Sequence, residues 1–218
     1  MHKVSDLFAG LGGWGCGATQ AGCEVVFAAD AAKHLVGLMK SNMPKVDAAC
    51  LTFPCDEVKT RIPLDTTIIF ASPPCQTLSA ARTGTTDEQR ASGLALVQWT
   101  LDLLLETPPA QAGRAPFVFC CENVVSTRLA ELLAKVKHQH YGSFDYASLQ
   151  LRDFGVPTDR RRMIFGSKRL IAKLVATKPI AAPSVADALG SKAIGNATHL
   201  KNSSSVMDES GVRIPSLR

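Results

Sequence analysis

The chain has no run of apolar residues approaching the ~18 that a membrane-spanning helix needs, and its polar start, MHKVSD, is not a signal peptide. No membrane partner is expected. There is also no CxxC pair. The seven cysteines, at 16, 23, 50, 55, 75, 120 and 121, form an odd set on apolar segments such as FVFCCEN. That pattern fits reduced thiols in an intracellular setting, cytoplasmic or nuclear. Cys50 and Cys55 are neighbours and His138 and His140 share KHQH, but no second cysteine pair stands at ligand spacing. No metal is therefore expected. Internal repeats are absent. Charged residues make up only 20% against 46% hydrophobic, which excludes general disorder and allows a sizeable core. The net charge of +5 leans toward a polyanionic partner, a lean that many enzymes of neutral substrates share.

What is present is an alternation of strand and helix patterns. KVSDLF reads as a strand, AGLGGWG as a glycine turn, CGATQAG as a helix, CEVVFAAD as a strand and AAKHLVGLMKSN as a helix. This is the βαβ pattern of a parallel sheet with crossover helices. Further strands are expected at TTIIFA, APFVFCCEN, FDYASLQL and RMIFGS, and helices at SGLALVQWTLDLLLE and TRLAELLAKVKHQ. The length of 218 residues suits one α/β domain better than two. After Ser167 the composition changes to one helical piece, several prolines and a polar tract. Residues 1–167 are thus read as the working domain, and 168–218 as a linker or the start of another unit.

GLGGWG, at 10 to 15, satisfies GxGxxG after a strand, and Asp30 ends the next strand. Glycines there permit positive φ and close approach of backbone N–H groups to a ligand. A carboxylate at the second strand's end can accept both hydroxyls of a ribose. The pairing marks an adenosine-type pocket and by itself leaves NAD and S-adenosylmethionine open. A pyrophosphate favours basic neighbours. Here Phe8 and Trp14 flank the loop, and no lysine or arginine lies between Lys3 and Lys33. Aromatics without nearby positive charge suit a sulfonium better, although core packing is the commoner role for either ring alone.

Three further motifs belong on the same rim of such a sheet. Cys75 ends the proline-rich turn ASPPC after one strand, and Glu122, in CENV, ends another. A thiol and a carboxyl beside an adenosine pocket point to nucleophilic attack assisted by proton transfer. Singly, each has a bland reading, as a packed thiol or a surface acid. The run Arg160, Arg161, Arg162 precedes an apolar strand. A solvated face is the ordinary role of such a run. Strand alternation, however, sends Arg160 and Arg162 one way and Arg161 the other, and two guanidiniums on one side could bind a carbonyl oxygen or a phosphate.

With these motifs in order, DLFAGLGG, SPPCQTLS, ENV and FGVPTDRRR, residues 3–167 resemble the cytosine-5 DNA methyltransferase family. The resemblance implies a Rossmann-like α/β fold of the S-adenosylmethionine-dependent methyltransferase type, a mixed, mainly parallel sheet with helices on both faces. It implies S-adenosylmethionine as cofactor and double-stranded DNA as substrate. By the family mechanism Cys75 adds to C6 of a flipped-out cytosine, Glu122 supplies the hydrogen bond or proton at N3, and Arg162 with Arg160 holds O2. Phe8, Gly10, Leu11, Gly12 and Gly13 match positions around the cofactor's methionine, Asp30 its ribose, and Asp56 its adenine. Pro74 matches a position lining cofactor and base. The sequence departs from the family pattern at Gln150 and Thr158, where Asn and Gln are common. The family continues with a target-recognition region where this sequence ends, so a fragment or one part of a split enzyme, completed by a C-terminal polypeptide, is the expectation. The alternatives are a catalytically incompetent DNA-binding or regulatory subunit of the same fold and an RNA cytosine-5 methyltransferase. An NAD-dependent oxidoreductase leaves the cysteine, ENV and arginine motifs without a joint purpose.

Overall fold

A computed structural model describes residues 1–76, 78, 84–106, 117–184, 205–207 and 213–215. Strand β1 (Lys3–Leu7) is followed by α1 (Gly13–Gln20), β2 (Glu24–Asp30), α2 (Lys33–Asn42), β3 (Asp47–Cys50), α3 (Glu57–Arg61) and β4 (Ile68–Ala71). Then come α4 (Asp87–Glu106), β5 (Val118–Val124), α5 (Thr127–Gln139), β6 (Phe144–Gln150), β7 (Arg161–Ser167) and α6 (Lys168–Val175). The first seven strands form one sheet in the order β3-β2-β1-β4-β5-β7-β6. Strands β1 to β5 pair in parallel, while β7 runs antiparallel to both β5 and β6. The fold is therefore the expected mixed, mainly parallel sheet with helices on both faces.

Parallel strands buried on both faces need apolar residues at nearly every position. EVVFAAD and VFCC meet that need. One face buries Leu7, Phe27, Ile69, Cys121 and Phe165 against Val97, Leu101 and Leu104 of α4 and Leu129, Leu133 and Val136 of α5. On the other, Ala18 of α1 packs with Val4 and Val25, and Val36 and Met39 of α2 with Ala28 and Ala48. There too Ile171 of α6 meets Cys120 and Ile164, with Trp14 and Phe70 beside them.

Two elements go beyond the sequence expectation. Strand β3 has only four residues, DAAC, with two alanines buried, and α3 is five residues long; neither is long enough to show a period. Helix α4 begins at Asp87, before the expected start at Ser92. Its entry is a reciprocal capping box. Thr86 Oγ1 accepts from the Gln89 N–H at 3.2 Å, and Gln89 Oε1 accepts from the Thr86 N–H at 3.1 Å.

Strand β7 approaches β5 closely at Gly166, whose φ is +154°. A Cβ there would lie 2.2 Å from the Phe119 carbonyl oxygen, so only glycine fits.

The chain divides into two compact units, Met1–Gln150 with Arg160–Lys178, and Leu151–Asp159 with Pro179–Arg218. Helix α6, which follows the compositional change at Ser167, belongs to the first. In the second, the Ile180 N–H donates to the Asp153 carbonyl at 2.7 Å, and Phe154 and Ile180 form an isolated parallel bridge. The second unit also holds a short antiparallel pair, β8 (Ser205–Met207) and β9 (Arg213–Pro215). Among the described residues no helix is long and apolar enough to cross a membrane.

Candidate active site

The strand order reverses at β1: chain order proceeds outward through β2 and β3 on one side, then returns to β4 on the other. In open α/β sheets the crevice outside the carboxyl ends of the strands at such a point is where ligands bind. The turns after β1 and β4 meet there, joined where the Ser72 N–H donates to the Leu7 carbonyl at 3.1 Å.

The β1 turn is shaped by positive φ at Phe8 (56°), Gly10 (56°) and Gly12 (85°). For Phe8 that conformation is unfavourable, and its ring packs on Phe53 with centroids 4.2 Å apart. Asp30 closes the loop from the next strand: Oδ2 accepts the Gly10 N–H at 2.9 Å and Oδ1 the Ala32 N–H at 2.8 Å. Each oxygen keeps a lone pair, so two further hydroxyl donors can be accommodated. Gly12 caps α1 without a side chain, so the cap position itself offers no side-chain acceptor to the first-turn N–H groups. Leu11 is exposed, and Gly13 opens α1 with nothing near its missing Cβ.

Beneath this loop lies Asp6, 1% exposed. Neither of its oxygens has a partner of hydrogen-bonding geometry. Burial pushes its carboxyl up to about 7; the Gly15 N–H that approaches it offsets part of this, and the Asp30 charge adds to it. Sequence reasoning assigned Asp6 no role of its own, although it opens DLFAGLGG.

The β4 turn is pinned at three points. Pro73 is buried, and its carbonyl accepts from the Asn123 Nδ2 at 3.0 Å. Asn123 is itself fully buried. Beyond Cys75, the Leu78 N–H donates to the Cys75 carbonyl at 3.0 Å, with Leu78 anchored in the core. Cys75 is thus held half-buried between fixed neighbours. Pro74 and Gln76, on either side of it, line a cavity of about 330 Å³ with Phe53, Pro54, Ser92, Gly93, Ala95 and Leu96.

Glu122 lies two residues before the end of β5, and the register opposes Val124 to Arg162 and Glu122 to Ile164 across β7. Arg162 Nε lies 2.6 Å from Glu122 Oε1, with the two side chains 15% and 28% exposed. Burial raises the Glu122 carboxyl above its ordinary value, opposed by the Arg162 guanidinium and by a hydrogen bond from the Ser72 hydroxyl. A carboxyl held between these opposing influences is poised to exchange a proton or hydrogen bond with a bound group.

A sequence model of C-5 cytosine-specific DNA methylases matches residues 2–207. The chain belongs to this family. It is 30% identical over 200 residues to the type II methyltransferase M.XorII of Xanthomonas oryzae pv. oryzae, covering 85% of this chain and 45% of that protein. It is 29% identical over 181 residues to M.AgeI of Thalassovita gelatinovora, covering 76% and 39%. The chain therefore spans less than half the length of these relatives. A DNA modification methyltransferase encoded within an E. coli prophage superposes with a TM-score of 0.59 at 23% identity, over 87% of this chain and 54% of that one, a likeness of fold.

For a cytosine-5 methylase, the expected residues fall into three groups. Gly10 and Asp30 are bonded to each other, with Phe8, Gly12 and Gly13 in the same turn; Glu122 and Arg162 form an ion pair; Cys75 and Pro74 share the pinned turn. Two stand apart. Asp56 is at the start of α3, its side chain 88% exposed and paired with Lys59 at 2.7 Å. Arg160 is exposed just before β7. Phe53, Ser72 and Asn123 were given no role by sequence reasoning; Ser72 and Asn123 carried a signal in their places in SPPCQTLS and ENV. Among the described residues no cluster of three or more potential metal ligands occurs.

The residues around the β1 turn fit S-adenosylmethionine. A half-buried aromatic pair and a carboxylate with spare lone pairs suit a sulfonium and a ribose, and Lys3 and Lys33 are the cations bounding a segment without any.

Proposed function

We propose that this chain carries the catalytic half of a DNA cytosine-5 methyltransferase, which moves a methyl group from S-adenosylmethionine to C5 of a cytosine extruded from double-stranded DNA. The observation that carries it is the placing of a pinned, half-buried Cys75 and of Glu122, ion-paired with Arg162, on one rim. Carbon 5 of cytosine is a poor nucleophile. The Cys75 thiolate adds to C6, forming the Sγ–C6 bond, while Glu122 gives a proton or hydrogen bond to N3. Electron density then collects at C5. S-adenosylmethionine would be held by Phe8, Gly10, Leu11, Gly12, Gly13, Asp30 and Pro74 and would supply an electrophilic methyl, its sulfonium sulfur leaving as the neutral thioether. Loss of the C5 proton to a base expels Cys75 and restores the ring. Arg162 swings between Glu122 and the ring's O2, Arg160 adds positive charge beside it, and Asp56 serves the adenine only if α3 shifts. Extrusion of the base costs a few kcal/mol, which phosphate contacts from a cationic surface offset in a salt-dependent way.

Replacing the C5 hydrogen by fluorine blocks the last elimination. Duplex DNA carrying 5-fluorocytosine, with S-adenosylmethionine and, in a parallel arm, a C-terminal polypeptide from a relative, should give a denaturant-resistant adduct. Cys75→Ser should abolish it. An RNA oligonucleotide trapped in preference to DNA would move the reading to an RNA substrate. No adduct in any arm would favour a regulatory subunit.

A further inference from the structure

The glycine turn and Glu122 on β5 are joined through Trp14 and Ser72, by a contact that the chemistry above does not use. Trp14, in the first turn of α1, stacks on Phe70 with ring centroids 4.4 Å apart and planes 4° from parallel. That stack aims its indole Nε1–H at Ser72 Oγ, 2.8 Å away. Ser72 follows β4 directly, and the parallel register that pairs Ala71 with Cys121 sets Ser72 beside Glu122. Phe70 and Cys120 belong to the cluster on the α6 face. By strand alternation, Ser72 and Glu122 share that face.

The direction of these bonds is fixed by chemistry. An indole nitrogen only donates. Ser72 Oγ must therefore accept from Trp14, which leaves its own hydroxyl proton for another acceptor. The neighbouring acceptor is the Glu122 carboxylate, whose Oε1 is already engaged by Arg162. We propose that Trp14 and Ser72 are positioning residues that orient Glu122 and set its proton affinity, linking the cofactor-side turn to the acid. This rests on the reading of Glu122 as the group that serves N3 of the cytosine.

The pair strengthens donation to the ionised carboxylate, and so opposes the upward push of burial. The other titratable groups near the path are Asp6, below α1 at Gly15, and Cys120, on the adjacent β5 position. Burial pushes the Cys120 thiol up to about 12, so it stays neutral across the useful range. Asp6 titrates within that range, so it must be silenced by Asp6→Asn.

The test needs no turnover. The chain has two tryptophans, so the ¹⁵N-labelled full chain gives two indole N–H signals, and Trp14→Phe assigns one of them. In an Asp6→Asn background, the Trp14 indole signal should follow pH with the same midpoint as the Arg162 Nε–H signal, and Glu122→Gln should flatten both. Ser72→Ala should silence the Trp14 response while Arg162 still titrates, its midpoint raised by about one pH unit, the size of one lost charge-assisted hydrogen bond. Trp14→Phe keeps the ring and should raise the midpoint by about half as much. If the Trp14 signal ignores pH and Ser72→Ala leaves the Arg162 midpoint unmoved, the positioning role falls while Glu122 as the acid stands. If Arg162 shows no titration that depends on Glu122, both fall.

Discussion

The two turns on the rim are built by different means. The turn after β1 is held largely by backbone: positive φ at three residues, peptide N–H groups, and one carboxylate from β2. The turn after β4 is held by side chains reaching across strands, with Asn123 on Pro73, Ser72 beside Glu122, and Arg162 on Glu122. A backbone turn keeps its surface open for a ligand to contact main-chain groups. A side-chain scaffold fixes one reactive atom and tunes its neighbours' protons. The first suits binding, the second chemistry.

Four substitutions sharpen this contrast. The largest effect should come from Asp6, the one buried charge beneath the backbone-built turn. The folded protein holds its proton up to about 7, whereas the unfolded chain releases it near 3.8. Its contribution is therefore full below pH 4 and is lost progressively as pH rises toward 7. The stability of Asp6→Asn relative to the parent should improve across that window, by on the order of 4 kcal/mol in total. Urea denaturation at several pH values measures it, and parallel curves would refute it. Next is Gly166→Ala, where β7 packs on β5. Its Cβ meets the Phe119 carbonyl oxygen rather than a side chain that can move. A loss of about 3 kcal/mol, read as a fall of roughly 6–12 °C in Tm, is expected.

Asn123→Ala should cost about 2 kcal/mol by leaving the Pro73 carbonyl without its donor. It should also slow Cys75 trapping on 5-fluorocytosine DNA by more than the stability loss explains, because the cysteine turn is loosened. The smallest effect is at Gly10→Ala. Although φ there is +56°, no atom lies within 4 Å of the would-be Cβ. Only the left-handed conformation opposes it, about 1 kcal/mol in a thermal melt. A large loss at Gly10 would mean that the first turn is as tightly built as the second.

Most of the sheet was legible because buried parallel strands leave apolar runs such as EVVFAAD, and because glycine and proline punctuate them. Strand β3 was not, since two buried alanines look like any short small-residue stretch. The capping box at Thr86 and Gln89 could have been read from TDEQ, which would have placed the start of α4 correctly. In the candidate site, Cys75, Glu122 and Arg162 stand out within motifs. The contacts that support them do not. Ser72 meets Glu122, and Asn123 meets Pro73, only through the register of strands some fifty positions apart. Trp14 was read as a loop aromatic, because nothing local shows that its indole reaches Ser72. Asp56 was matched by resemblance alone, and its side chain is exposed beside Lys59.

The place of β7 bears on how the site is made. It lies between β5 and β6 although it follows both in the chain, so β6 has no strand to join until β7 exists. During synthesis β5 must keep one edge unsatisfied while the next forty or so residues emerge. The insertion that closes this edge is the same event that delivers Arg162 to Glu122. Completion of the sheet and pairing of Arg162 with Glu122 thus coincide, and a nascent chain halted before Arg162 leaves Glu122 without that partner.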